Sequence, residues 1–203
     1  MGNALTLYGR ETTVDELLSV LLQDKAFYDA SGGGVTLSGG ECLLYADFCA
    51  ELLKKLKESG VHTAVDTCGF VSQSVLDKII PYTDIFLYDV KAFNEKTHEK
   101  CTGYGNRQIL TNLLYLDNLH CKIEIRIPYV PEYNADEIEP VGVFLSKLKN
   151  IKKIRVLPYH QYASSKYRSL DMENTLPLRL PTQRDVDDAI HILKRFHLTV
   201  IEG

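Results

Sequence analysis

The stretch CKIEIRIPYV, residues 121–130, alternates strictly between charged and apolar side chains over its first half. The charged positions are Lys122, Glu124 and Arg126, and three isoleucines occupy the positions after them. Side chains of a strand alternate between its two faces, so the isoleucines share one face and the charges share the other. If the isoleucine face packs against helices, the charges line the inside of a barrel, where they need partners or a ligand. The stretch therefore predicts a barrel strand with a polar inner face.

Strand-like and helix-like segments alternate along the rest of the chain. The predicted strands are GVTLSG (34–39), VHTAVDT (61–67), DIFLYDVK (84–91), CKIEIRIPYV (121–130), KKIRVLPY (152–159) and HLTVIE (197–202). A capping box of Thr13 with Glu16 predicts the first helix, and helices are predicted over 45–59, ending at Gly60, and over 72–80, ending before Pro81. Further along the chain we expect a helical region at 94–119, a helix after Asn134 and a helix capped by Thr182.

Six strands separated by helices favour parallel pairing through right-handed crossovers. The sequence shows no linker, low-complexity tract or internal repeat that would divide it. An α/β fold in a single domain over residues 1–203 is therefore expected. Two architectures fit the alternation, an open or partly closed parallel (β/α) barrel and a doubly wound sheet.

The composition bounds the class of protein. The 203 residues carry a net charge of -4, whereas a general nucleic-acid binder would show an excess of basic residues. No apolar run is long enough to cross a bilayer. The five cysteines stand at irregular spacing, which does not indicate a disulfide framework. We therefore expect a cytoplasmic protein that binds neither nucleic acid nor a membrane.

Polar residues gather at the carboxyl ends of the predicted strands. The endings are SGGE (38–41), DTCG (66–69), YDVK (88–91) and LPYH (157–160). In barrels and in doubly wound sheets alike, ligands bind at this edge. Two adjacent glycines in the first ending would let a ligand approach the main chain. The coincidence at four strand ends favours a binding site.

Each of these residues also has a purely structural interpretation. Gly39 and Gly40 fit an ordinary turn between a strand and a helix. The other structural roles are a cap of the following turn for Asp66, an ion pair of Asp89 with Lys91, an ion pair of Arg126 with Glu124, and a loop position for His160 in which the imidazole donates to a carbonyl.

Five motifs carry a resemblance to a known family. They are GGGVTLSGGECLL (32–44), GVHTAVDTCGF (60–70), DIFLYDVKAFN (84–94), IRIPYVPEYN (125–134) and LPYHQYASSKY (157–167). In this order and spacing they resemble the glycyl-radical-enzyme activating enzymes of the radical S-adenosylmethionine (SAM) superfamily, from about Asn3 to the end of the chain. The resemblance implies a partial parallel (β/α) barrel of the radical SAM type that lacks its first strand.

The resemblance also implies a cofactor site for SAM. By family position, Gly39, Gly40 and Glu41 meet the amino group of its methionyl moiety, and an ammonium suits backbone carbonyls and a carboxylate. The further positions implied are Asp66 as a second acceptor for the ammonium, Lys91 on the carboxylate or ribose, Asp89 on the ribose hydroxyls, Arg126 and His160 as polar walls, and Asp66, Thr67 and Asp89 as ligands of a monovalent cation.

The chain departs from the family pattern in several places. Cys42 stands where the family has proline, Cys68 where a small polar residue is usual, and Ala163 where glycine is expected. The largest departure is the absence of the CxxxCxxC motif that holds the 4Fe-4S cluster, since no two of the five cysteines are two or three residues apart. GNALTLYGRE (2–11) resembles the stretch that follows an additional ferredoxin-like cluster insert. We therefore expect a chain that begins after the first strand, the cluster loop and that insert, and that is inactive alone.

The expected function is that of the larger, C-terminal part of an activating enzyme. In the intact protein, the cluster and SAM would generate a glycyl radical on a partner such as pyruvate formate-lyase, whose glycine loop would enter the barrel mouth. The electron donor would be a flavodoxin or ferredoxin. Two alternatives are a remnant barrel that binds a nucleoside or peptide, and a metal-assisted isomerase or aldolase that uses Asp66, Asp89, Lys91 and His160.

Overall fold

The computed structural model describes residues 9–163, 167, 171, 177 and 179–203. The start of the family resemblance at Asn3, most of the stretch 2–11 and residues 164–166 of the fifth motif lie outside these described residues. Within them, no helix is both long enough and apolar enough to span a bilayer.

Six strands form one parallel sheet whose order follows the order of the chain. The strands are β1 (Gly34–Leu37), β2 (His62–Thr67), β3 (Ile85–Asp89), β4 (Ile123–Tyr129), β5 (Ile151–Pro158) and β6 (Val200–Glu202). Among the described residues β1 and β6 do not pair with each other, so the sheet stays open. The sequential order confirms the partial parallel barrel, because a doubly wound sheet would reverse its order at a switch point. The strand expected before β1 stays a prediction.

Helices connect the strands, and most of them lie where the sequence predicts. They are α1 (Val14–Leu21), α2 (Lys25–Ser31), α3 (Ala46–Glu58), α4 (Gln73–Ile79), α5 (Glu95–Thr102), α6 (Arg107–Asn118), α7 (Pro131–Asn134), α8 (Ile138–Leu145) and α9 (Gln183–Lys194). Thr13 and Thr182 form the capping boxes of α1 and α9. Both caps were readable from the sequence because their hydrogen bonds span only three residues.

Three helix boundaries differ from the sequence prediction. The helical region at 94–119 consists of two helices, because α5 ends at Gly103 in a left-handed conformation with φ +80°. The helix expected over 45–59 begins as a 3-10 turn over Cys42–Tyr45 before α3. The helix predicted over 72–80 ends at Ile79, and Pro81 lies within the 3-10 turn Ile80–Tyr82 that follows it. Two helices, α2 and the short α7, were not predicted.

The two faces of β4 have the environments that its alternation predicts. Ile123, Ile125 and Ile127 are buried in the main hydrophobic core together with leucines of α6 and α8. On the other face, Glu124 is buried and accepts from Lys153 Nζ at 3.1 Å and Arg155 Nε at 2.9 Å, both on β5.

One expectation and one structural alternative for this inner face were wrong. Lys122 precedes β4 and is exposed, so it does not line the inner face. Arg126 does not pair with Glu124, because Glu124 lies opposite Lys153 in the sheet register and is neutralised by β5. The Arg126 guanidinium instead reaches carboxylates of β2 and β3.

The glycine run before β1 includes one position that packing requires. A Cβ atom at Gly34 would lie 1.9 Å from the carbonyl oxygen of His62, far inside contact distance. Gly34 is the partner of His62 in the β1–β2 register, so neither backbone can move away without breaking the pair. Glycine at this position therefore serves the sheet and is not part of a ligand site.

Candidate functional site

Four charged side chains form a connected line across the carboxyl ends of β2, β3 and β4. Arg126 Nη1 lies 2.6 Å from Asp66 Oδ2, and Arg126 Nε lies 4.0 Å from Asp89 Oδ1. The Lys91 ammonium continues the line at 3.1 Å from Asp89 Oδ2. The four side chains are 20% to 28% exposed, so a ligand can reach them while water only partly screens their charges. Two carboxylates and two cations make this line neutral.

The sheet register places these side chains together. Asp89 is the partner of Arg126 in the β3–β4 register, so their Cα atoms are neighbours. Asp66 lies two residues lower in the register, opposite Leu87 of β3. The long Arg126 side chain crosses β3 to reach Asp66, and its planar fork of N–H groups suits two carboxylates at once. The structure therefore confirms the ion pair of Asp89 with Lys91 and joins Asp66 and Arg126 to it.

The glycine loop after β1 borders this line and leaves open space. A Cβ atom at Gly39 or Gly40 would meet no atom within 4 Å, so packing does not demand glycine at either position. The backbone does demand it at Gly39, whose φ is +148°. Ser38, which the sequence analysis did not single out, donates from Oγ to Asp66 Oδ2 at 2.9 Å. This bond ties the loop to the charged line.

Glu41 fastens the end of β1 to the end of β2. Its carboxylate accepts from Leu43 N at 3.2 Å, which caps the 3-10 turn, and from Cys68 N at 3.0 Å. The buried Thr67 hydroxyl lies 2.9 Å from both of its oxygens. The same carboxylate and burial raise the pKa of the Cys68 thiol, with burial the larger cause. Glu41 thus has a structural role beside its predicted contact with an ammonium.

His160 lies at the same edge of the sheet, but the contacts that the structure gives it are with Tyr162 and not with the charged line. The residue follows β5 and is exposed. Its Nδ1 accepts from Tyr162 N at 3.4 Å, and its ring centroid lies 4.1 Å from that of Tyr162. The expected bond from the imidazole to a carbonyl is therefore not the contact that the structure shows.

The five cysteines do not form a ligand set for a 4Fe-4S cluster. Cys42 Sγ donates to the carbonyls of Leu37 and Asp66, and Cys49 Sγ donates to the Cys42 carbonyl. Hydrogen bonding with Cys49 and burial raise the pKa of the Cys42 thiol, which disfavours the thiolate that iron requires. Cys101 lies on α5 and Cys121 precedes β4. These residues do not fit a cluster.

The predicted cation ligands already have protein partners. Asp66 and Asp89 face Arg126, and the Thr67 hydroxyl donates to Glu41. In the part of the chain that the structure describes, no three histidine, cysteine or carboxylate side chains cluster as metal ligands do. The monovalent cation stays a prediction, and the isomerase or aldolase alternative gains no support from this geometry.

The arrangement suits a ligand that is zwitterionic and carries hydroxyl groups. Asp66 and the open backbone at Gly39–Gly40 offer acceptors for an ammonium, and the Lys91 ammonium offers a partner for a carboxylate. Asp89 adds an acceptor for hydroxyl groups beside Lys91. An amino-acid moiety joined to a ribose has these groups.

Comparisons with known proteins identify the family of the chain. A family model described as "Radical SAM superfamily" matches residues 4–145. The chain is 40% identical to the choline trimethylamine-lyase activating enzyme of Oleidesulfovibrio alaskensis over 178 aligned residues. The aligned residues cover 85% of this chain and 57% of that protein. It is 33% identical to the pyruvate formate-lyase 1-activating enzyme of Escherichia coli K12 over 186 aligned residues, and these residues cover 90% of this chain and 76% of that enzyme. The chain thus spans little more than half the length of the first of these relatives.

Solved structures show the same fold. A domain of pyruvate-formate lyase-activating enzyme from Bacteroides vulgatus superposes with a TM-score of 0.71 at 28% identity, over 84% of this chain and 99% of that one. Streptococcus suis SuiB bound to its precursor peptide SuiA superposes with a TM-score of 0.72 at 16% identity, over 98% of this chain and 44% of that one, a likeness of fold alone. Because the family model spans more than half of the chain and the Escherichia coli enzyme is matched over three quarters of its length, this chain belongs to the radical SAM superfamily and, within it, to the activating enzymes of glycyl radical enzymes.

Proposed function

We propose that the chain is the larger, C-terminal part of an activating enzyme that uses SAM and a 4Fe-4S cluster to generate a glycyl radical on a partner enzyme such as pyruvate formate-lyase. The observation that carries this proposal is the neutral line Asp66–Arg126–Asp89–Lys91 beside the open backbone of Gly39 and Gly40. When bound with a reduced cluster, SAM supplies the carbon radical that such chemistry needs. The cysteines of this chain do not fit that cluster, so the intact protein would hold it elsewhere.

The residues of this chain bind and orient the cofactor in this proposal. Asp66 and the carbonyls at Gly39–Gly40 accept from the methionyl ammonium, with Glu41 holding that loop against β2. Lys91 contacts the carboxylate or the ribose, and Asp89 accepts from ribose hydroxyls. The remaining proposed roles are Arg126 and His160 as polar walls, and Asp66, Thr67 and Asp89 around a monovalent cation.

The partners follow from the same proposal. The mouth of the barrel, at the carboxyl ends of the strands, accepts the glycine loop of the glycyl radical enzyme. A flavodoxin or ferredoxin supplies the electron, and the protein acts in the cytoplasm. The relatives support the partner class, since they are named as activating enzymes of choline trimethylamine-lyase and of pyruvate formate-lyase.

Anaerobic reconstitution of this 203-residue chain with iron and sulfide is expected to give no stoichiometric 4Fe-4S cluster. The reason is that its cysteines lie on separate elements and donate to carbonyls and to Glu41 instead of facing one another as a set of three. Iron analysis and absorption spectroscopy measure the result. Nearly four irons per chain with a charge-transfer band would contradict the expectation.

SAM is expected to bind this chain weakly, with a dissociation constant on the order of millimolar, or about 4 kcal/mol of binding free energy. Lys91→Ala is expected to weaken binding by about 1 to 2 kcal/mol, because it removes a hydrogen bond to a charged group. Titration followed by NMR measures both constants. Lys54→Ala is the matched control, because Lys54 is an exposed lysine on α3 whose ion-pair partner is Glu58 on the same helix.

The same titration separates this proposal from the remnant-barrel alternative. If the site serves the methionyl zwitterion, adenosine, which lacks both the ammonium and the carboxylate, binds more weakly than SAM. Equal affinity for adenosine and SAM would instead favour a nucleoside-binding module. If wild type shows no saturable shifts, or if the Lys91 and Lys54 variants behave alike, the assignment of the site is wrong.

A further inference from the structure

Three buried polar side chains hold the four residues Lys91–Asn94, which we call the Lys91 segment. These side chains belong to Asn106, Asn134 and Glu137, which are only 3%, 2% and 7% exposed. All three bond to the backbone of the segment and leave its side chains untouched. The segment is separated from the end of β3 by Val90 alone, so it sets where Lys91 lies relative to Asp89.

Asn134 joins the segment to the end of β4. Its Nδ2 donates to the Lys91 carbonyl at 2.8 Å and to the Pro128 carbonyl at 2.8 Å. Its Oδ1 accepts from Val130 N at 2.8 Å. One amide therefore uses both donors and an acceptor to fix the exit of β3 against the exit of β4, the two strands that carry Asp89 and Arg126.

Asn106 and Glu137 hold the rest of the segment from two other sides. Asn106 Nδ2 donates to the carbonyls of Ala92 at 3.0 Å and Phe93 at 2.8 Å. Glu137 Oε2 accepts from Phe93 N at 3.0 Å and Asn94 N at 2.8 Å. Ala92, in the middle of the segment, is itself buried, with 1% exposure.

Five hydrogen bonds to four consecutive residues are more than a connecting loop needs. Loops at the surface normally satisfy their backbone groups with water. A backbone fixed by buried partners limits the positions open to the side chains it carries, which is how binding groups are held ready for a ligand. Lys91 is the charged side chain of this segment, and its ammonium already lies on Asp89.

We propose that Asn106, Asn134 and Glu137 are positioning residues for Lys91, which hold its backbone so that the ammonium stays in the charged line at the cofactor site. They do not touch the cofactor themselves. The contact of Lys91 with SAM rests on the proposed function. The hydrogen bonds that hold the backbone of the Lys91 segment do not depend on it. The rival interpretation is that the three side chains only stabilise the fold.

Asn134→Ala is the first test, with Asp117→Ala as its matched control. Asp117 is also buried, at 8%, and like Asn134 it bonds to a distant stretch of backbone, since its Oδ1 accepts from the amides of Lys149 and Asn150. It acts before β5, at the opposite edge of the sheet. Both variants are expected to lose stability, so loss of stability alone distinguishes nothing.

Amide hydrogen exchange and the side-chain NMR signals of Lys91 are the deciding measurements. In Asn134→Ala, exchange of the Phe93 and Asn94 amides is expected to accelerate about tenfold, since local opening becomes easier. The Lys91 Cε signals are expected to move toward those of a free lysine. Asp117→Ala is expected to change neither.

Glu137 provides a second test that does not depend on the first variant folding. Glu137→Gln keeps an acceptor oxygen and is expected to retain slow exchange at Phe93 and Asn94, whereas Glu137→Ala loses it. SAM affinity is expected to fall severalfold in Asn134→Ala and Glu137→Ala and to persist in Glu137→Gln. Unchanged Lys91 signals and exchange rates in both alanine variants would overturn the proposal. If these signals respond as expected but wild type fails to bind SAM, the positioning role holds and the proposed cofactor role of Lys91 fails.

Discussion

Gly34→Ala is expected to lower the free energy of unfolding by about 3 kcal/mol or more, as severe overpacking does. The added Cβ would lie 1.9 Å from the His62 carbonyl oxygen and 2.7 Å from its carbonyl carbon. Both are backbone atoms of the adjacent strand, so relief requires β1 to leave the sheet. Because β1 leads directly into Gly39 and Gly40, the site should be lost with it. Urea denaturation followed by far-UV circular dichroism measures the loss.

Gly40→Ala is the control from the same loop. No atom lies within 4 Å of a Cβ at Gly40, so its effect on stability should stay within about 0.5 kcal/mol. The added methyl group would nevertheless occupy the open space where we place the methionyl ammonium, so SAM affinity should fall. Equal destabilisation by the two alanines would show that Gly40 also serves packing, and the ligand assignment of the loop would be wrong.

Glu41→Ala is expected to cost about 3 kcal/mol of unfolding free energy, because the amides of Cys68 and Leu43 lose a charged acceptor and Thr67 loses its bond. The Thr67 hydroxyl is buried, so it cannot turn to water as an exposed group would. Glu41→Gln retains one acceptor oxygen and should cost about half as much. Chemical denaturation of the three proteins gives the values.

Glu51→Ala provides the comparison for Glu41. Glu51 lies on α3 and is exposed, with a single ion pair to Lys55 at 3.1 Å. Its removal should change stability by less than about 0.5 kcal/mol. If Glu41→Ala is as mild as Glu51→Ala, the carboxylate does not join β1 to β2 in solution.

Local signals explain how much of the fold was readable from the sequence. The alternation in 123–127 and the capping box at Thr13 depend on neighbours a few residues apart, so they survive in any tertiary setting. The break between α5 and α6 had a local signal in Gly103 and Gly105, which the prediction of one helical region at 94–119 did not use. Lys122 was predicted to lie inside β4, which begins one residue later, at Ile123. The ends of an element are the part that sequence patterns define least well.

The site was only half readable for a different reason. Asp66, Asp89, Lys91 and Arg126 were found because each stands at or near a strand end. The ion pair of Asp89 with Lys91 was foreseen, because the two residues stand two positions apart. The pairing of Arg126 with Asp66 and of Glu124 with Arg155 was not, since it depends on contacts between different strands.

The positioning residues show the same limit more sharply. Asn134 acts on Lys91 from 43 positions along the chain, and Glu137 acts on Phe93 from 44. No spacing in the sequence marks a buried side chain that bonds to a distant backbone. Asn134 lies inside a motif of the family resemblance, which was the one available signal.

The sequential strand order has a consequence for synthesis on the ribosome. Each strand pairs with the one translated just before it, so the sheet can extend at a single edge as the chain emerges. A nascent chain that has released β3 but not β4 already contains every partner of the Glu41 carboxylate. Asp66 still lacks its guanidinium partner at that stage, because Arg126 arrives with β4. The junction between β1 and β2 can therefore form during translation before the charged line of the cofactor site is complete.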